Sequence, residues 1–203
     1  MKPHHFALLI LASTWCACER SSFSEVEAFN YLDERGIEVS HIEGGFFVSL
    51  SPETDPVRIL KRDVVALNSL EGIHEIRVIS SNGIAPEVMN SFEEMPVLKT
   101  FAVHYRMPDR SLNFLDRFPN LEAVELWGPN ISLHHLPVLQ SLRHLDYDSP
   151  NETPISNLEF ERILTQPRLK RLYLARPLTQ SQYDRLSLHP TIEELDVHTV
   201  EPD

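Results

Sequence analysis

His144-x-Asp146-x-Asp148 places an imidazole and two carboxylates at alternate positions, and Glu194-x-Asp196-x-His198 repeats the theme later in the chain. On an extended strand alternate residues share one face, so each triplet would present its groups to the same side. Imidazole and carboxylate are ligand types for a divalent metal, and a metal there would activate water for hydrolysis. Geometry argues against one shared centre. Alternate side chains on a strand are rooted about 6.5–7 Å apart, and Arg171 and Tyr173 fall between the two triplets in the repeat described below. A metal-assisted hydrolase using His144, Asp146 and Asp148 is therefore kept as the alternative to a non-catalytic protein with no cofactor and no metal. The other chemical motifs are missing from the sequence: a Gly-rich phosphate loop, a Gly-x-Ser-x-Gly elbow and a His-Glu-x-x-His pair. His134 and His135 are consecutive, so they diverge and read as surface residues.

Charge narrows the partners. The 203 residues carry 18 Lys plus Arg against 30 Asp plus Glu, a formal net charge of −12. Nucleic-acid binders need clustered positive charge to replace counterions on phosphates, so that class is excluded. The chain holds two cysteines, Cys16 and Cys18, which leaves no material for a disulfide-stapled scaffold or a multi-cysteine zinc module.

Those cysteines close an N-terminal address. Met-Lys-Pro-His-His is followed by an apolar run from Phe6 to Trp15. A basic start and a core of about ten residues fit an export signal and are too short for a spanning helix. With Ala17 before Cys18, this segment resembles a bacterial lipoprotein signal. The resemblance implies a signal peptide over residues 1–17, cleavage before Cys18, lipid attachment at Cys18, and a chain held to a membrane of the cell envelope. Trp15 and Cys16 depart from the family's preferred Leu and small residue. A plain secretory signal, leaving a soluble periplasmic or secreted protein, is the alternative.

The elements that would position the chemistry come from a repeat. An apolar pattern, apolar-x-x-apolar-x-x-apolar-x-apolar, recurs from residue 70 onward. Its sets begin Leu70, Ile73, Ile76, Val78 and Met95, Leu98, Phe101, Val103, then Phe118, Leu121, Val124, Leu126. They continue through Leu139, Leu142, Leu145, Tyr147 and Gln166, Leu169, Leu172, Leu174 to His189, Ile192, Leu195, Val197. The spacing of about 21–27 residues falls in the range of leucine-rich repeats. Each final apolar-x-apolar pair predicts a strand with alternate side chains inward, and each interval a return segment. Pro96, Pro119, Pro167 and Pro190 sit two residues before the second apolar position, where proline ends a helix ahead of a strand. Ser156-x-x-Glu159 and Thr179-x-x-Gln182 are capping boxes for the last two return helices.

This stretch resembles the leucine-rich repeat family. The resemblance implies an α/β solenoid, with parallel strands on one concave face and helical or irregular returns. The family's asparagine after each strand is replaced by Ser81, Arg106, Pro129, Pro150, Pro177 and Val200, so the turns need other supports. Residues 18–62 do not repeat. A capping box at Ser24-x-x-Glu27 and an apolar face of Val26, Phe29 and Leu32 predict a helix, and Glu43-Gly44-Gly45 predicts a hairpin. These residues read as a lipidated N-terminus and an α+β cap, with residues 63–203 as a solenoid of six repeats.

Side chains flanking the inward positions would face outward: His104 on the second repeat strand, Glu125 and Trp127 on the third, Asp146 and Asp148 on the fourth, Tyr173 on the fifth. Adjacent parallel strands lie about 4.8 Å apart, which makes Glu125 and Asp146 like-charge neighbours. Trp127 is a large apolar surface where packing requires none, as in a binding hot spot. The expectation is a binding protein that recognises a protein or peptide of basic or polar character through Trp127, Glu125, Asp146, Asp148, Tyr173 and His104. A merely solvated face on a structural envelope lipoprotein is the third possibility.

Overall fold

The computed structural model describes residues 23–50, 59–79, 84–104, 111–129, 131–150 and 153–203. Residues 1–17, read above as an export signal, and Cys18, read as the lipidation position, lie outside the described residues.

The chain starts as the local signals require. Helix α1 (Glu25–Glu34) opens on Ser24, whose Oγ accepts from the Glu27 N–H at 3.3 Å while Glu27 Oε2 accepts from the Ser24 N–H at 2.8 Å. Strands β1 (Glu38–Ile42) and β2 (Gly45–Leu50) form an antiparallel hairpin. At Gly45 any Cβ would collide with the Gly72 carbonyl oxygen, so only glycine lets the hairpin approach the next strand. Helix α2 (Lys61–Asn68) packs beside α1. Its buried Asp63 takes hydrogen bonds from the Tyr31 hydroxyl at 2.8 Å, the Leu60 N–H at 2.8 Å and the Arg35 Nε at 3.1 Å.

From β2 onward the sheet is parallel. It adds β3 (Ile73–Ile79), β4 (Thr100–His104), β5 (Ala123–Trp127), β6 (His144–Asp148), β7 (Arg171–Leu174) and β9 (Glu194–Val197) in chain order, with no reversal. The short strands β8 (Leu178–Thr179) and β10 (Val200–Glu201) form a separate parallel pair. The returns are dissimilar. They comprise the four-residue α3 (Pro86–Met89), 3-10 segments at Ser111–Arg117 and Leu133–His135, and the eight-residue helices α4 (Asn157–Leu164) and α5 (Gln180–Ser187).

This architecture corrects the expected fold class. In place of a leucine-rich-repeat-like solenoid, the protein is an α/β fold built on one eight-stranded, mostly parallel sheet with helices. Within the residues read as the N-terminal cap, β2 joins that sheet by pairing with β3. The physical reason is that the apolar pattern reports only local events. It marks strands with one buried side, set by turns at regular spacing, and any parallel sheet with short returns satisfies it.

Each inward pair, from Ile76 and Val78 to Leu172 and Leu174, is buried. On β9, Leu195 and Val197 are half-buried at the sheet edge. Pro96, Pro119, Pro167 and Pro190 each lie in a turn ahead of a strand. Polar side chains support these turns, the buried Gln166 foremost. The Gln166 amide accepts from the Leu139 N–H and donates to the Pro137 and Arg162 carbonyls, each at 3.0 Å. Asn120 Nδ2 donates to the Pro96 carbonyl at 2.8 Å and Ser141 Oγ to the Pro119 carbonyl at 3.0 Å.

Candidate functional site: the outward face of the sheet and its strand ends

Strand register assembles the candidate residues. Arg77, Ala102, Glu125, Asp146, Tyr173 and Asp196 form one row across β3–β9, and Ile79, His104, Trp127 and Asp148 form the next toward the strand ends. His104, Glu125, Trp127, Asp146, Asp148 and Tyr173 therefore share one face, and direct contacts link several of them. The His104 imidazole lies flat on the Trp127 indole, with centroids 4.2 Å apart and planes 6° from parallel. His104 Nε2 is 3.7 Å from Glu125 Oε2, beyond hydrogen-bond range. Trp127 stays 40% exposed despite the stack, so its outer surface is open to a partner.

Glu125 stands directly opposite Asp146. Burial pushes the Asp146 carboxyl above its ordinary range; a hydrogen bond from Trp127 pulls it back, Glu125 pushes it further up, His144 lowers it and Asp148 raises it. Asp146 Oδ1 and His104 Nε2 are buried atoms without a hydrogen-bond partner, and Arg77 Nε is a third such atom among the described residues. Arg77 otherwise holds Glu75 at 2.9 Å and lies 5.8 Å from the Phe47 ring centroid. An orphaned polar atom costs stability unless something completes it. Tyr173 reports the same negative field: burial first, then Asp148, Asp146 and Asp196, raise its phenol.

Two pockets open where the strands end. The first, about 400 Å³, is lined by Ile79, His104, Trp127, Gly128 and Pro129, with Asp148 and Pro150 on its far side. The second, about 560 Å³, begins at the same Asp148 and Pro150 and continues along Tyr173 to His198 and Glu201. Sequence reasoning weighed His198 only as a metal ligand, and missed Glu201 as a pocket residue and Ile79, Pro129 and Pro150 as walls. Their only signal is position: each ends or follows a strand, where an open parallel sheet presents its clefts.

Other candidates are placed elsewhere. Among the described residues no three His, Cys, Asp or Glu side chains are grouped to hold a metal ion. His134 and His135 are half-buried rather than freely exposed, and His134 Nε2 bonds Ser156 Oγ at 2.8 Å, a support for α4. Among the described residues no helix is long and apolar enough to cross a membrane. Comparison with known proteins found no matching family model, no matching curated protein and no matching solved structure.

Proposed function

We propose that the protein is a non-catalytic binding protein of a bacterial cell envelope, tethered through lipid on Cys18, that recognises a basic or polar segment of another protein on the outward sheet face. One observation carries the reading: an exposed tryptophan, stacked on His104, stands beside Asp146, whose Oδ1 is buried and unpartnered. An exposed aromatic anchor within a row of carboxylates suits a basic or polar segment, whose apolar stems pack on the ring while its positive charge lies in the field of the acidic face. The envelope location rests on the resemblance of residues 1–17 to a lipoprotein signal.

The face is tested by titrating a fluorescent, alternating Gly-Arg peptide against the full chain and following anisotropy, with a Gly-Glu peptide as control. Trp127→Ala and Asp146→Asn should each weaken Gly-Arg binding about tenfold or more, the loss typical of a hot-spot residue. Asp146→Asn should at the same time raise the denaturation midpoint at pH 7. A carboxyl whose folded pKa is raised takes up protons on folding, so its penalty is fully present above that pKa and asparagine removes it. Equal binding of the two peptides, or unchanged affinity in both variants, would leave the face as solvated surface. The tether is tested separately: Cys18→Ser should abolish incorporation of labelled fatty acid and release the protein from membranes, and persistent labelling would sink it.

A further inference from the structure

The two pockets share a wall, Asp148 with Pro150, and so form one groove across the strand ends from Ile79 to Glu201. Their chemistries differ. The first is walled by Ile79, Trp127 and Pro129 and suits an apolar side chain. The second is lined by Asp148, Tyr173 and Glu201, and the charges of Asp146 and Asp196 also act on the Tyr173 phenol. That charge distribution complements a cation.

Resting on the binding reading above, we propose that this groove takes an extended peptide laid across the strands, with an apolar side chain against Trp127 and a basic one beside Tyr173, four residues apart. The spacing follows from the sheet. The first pocket centres on β4 and β5 and the second on β7, so at about 4.8 Å per strand the centres are about 12 Å apart. An extended chain advances about 3.3 Å per residue and alternates its side chains, so positions i and i+4 span that distance on one side. Position i+3 points the second side chain away from the groove.

The test uses Gly/Ser peptides carrying one Leu and one Arg at separations of three or four residues, in both orders, titrated against the full chain. A separation of four in one order should bind at least about fivefold more tightly than three. Trp127→Ala should erase the gain from Leu, and Glu201→Gln the gain from Arg. Arg peptides that bind equally well at either separation, or with Leu replaced by Ser, would overturn the groove while leaving basic recognition on the face intact. Failure of every Arg peptide to bind would overturn both.

Discussion

Exchange of Arg176 for methionine should cost about 3–5 kcal/mol, the range for removing one partner of a buried ion pair. Arg176 is 7% exposed and Glu159 is 3% exposed. Arg176 Nη1 donates to both Glu159 oxygens at 3.2 and 3.1 Å and to the Tyr147 hydroxyl at 3.3 Å. Its Nη2 donates to the Pro154 carbonyl at 2.9 Å and the Thr153 carbonyl at 3.2 Å. Glu159 also accepts from the Ser156 N–H at 3.0 Å as part of the capping box of α4, and Tyr147 donates to the Ile131 carbonyl at 2.7 Å. One charge pair thus ties β6, α4 and the chain after β7 together. Methionine fills the volume but leaves the Glu159 charge buried. Arg176→Met combined with Glu159→Gln should be less destabilised than Arg176→Met alone, because no charge is then stranded.

The same network has a pH signature. Burial alone would raise the Glu159 carboxyl, but the Ser156 N–H, the Arg176 charge, the Ser156 hydroxyl and the Leu133 N–H together hold it below its ordinary range. A depressed carboxyl stabilises the fold above its unfolded pKa, about 4.3 for glutamate, and that stability is lost as pH falls through the folded value. The gap in denaturation midpoint between wild type and Arg176→Met should therefore be widest near pH 7 and narrow in acid. A pH-independent gap would mean that the charge is not the source of the loss.

Phe101→Ala should cost a comparable amount, about 3–5 kcal/mol. Phe101 on β4 is fully buried and packs with Phe92, Phe114 and Phe118 at centroid separations of 6.1, 5.2 and 6.0 Å. Those three rings also contact one another. Phe92 and Phe118 follow the short helix α3 and the 3-10 segment at Ser111–Arg117, and Phe114 lies within that segment. Neither return has the length to be stable alone, so the ring cluster is what fixes both to the sheet. Phe101→Leu keeps most of the volume and should cost less than about 1.5 kcal/mol. Urea denaturation followed by far-UV circular dichroism reads both variants, and equal losses would contradict the packing argument.

Local structure was the most legible part of the sequence. The three serine or threonine capping boxes, the turn prolines and the inward side chains of the strands follow from short-range physics: an oxygen placed to cap a helix, a missing N–H, a period of two. The fold class was not legible on those grounds. The apolar pattern says nothing of the β1–β2 hairpin joining the same sheet, a pairing that depends on Gly45 meeting Gly72 at close range. Gln166 broke the apolar pattern for a reason invisible in spacing, since its buried amide holds two turns. Arg176 was likewise unreadable, because its partners lie well back in the chain.

Of the site, period-two alternation placed Glu125, Trp127, Asp146 and Tyr173 on one face. The phase of the repeat also set Glu125 beside Asp146, and the strand pairing has them directly opposite. The stack of His104 on Trp127 and the shared wall at Asp148 needed coordinates.

The central claim is a place, so the most direct measurement is one that reports place. In a two-dimensional nitrogen–proton spectrum of the full chain, the indole N–H of Trp127 is separable from that of Trp15, the only other tryptophan. Adding the Gly-Arg peptide should move that indole resonance together with the backbone amides of His104, Glu125 and Asp146. Peptide-dependent shifts confined to the helices, with the Trp127 indole unmoved, would contradict recognition on the sheet face.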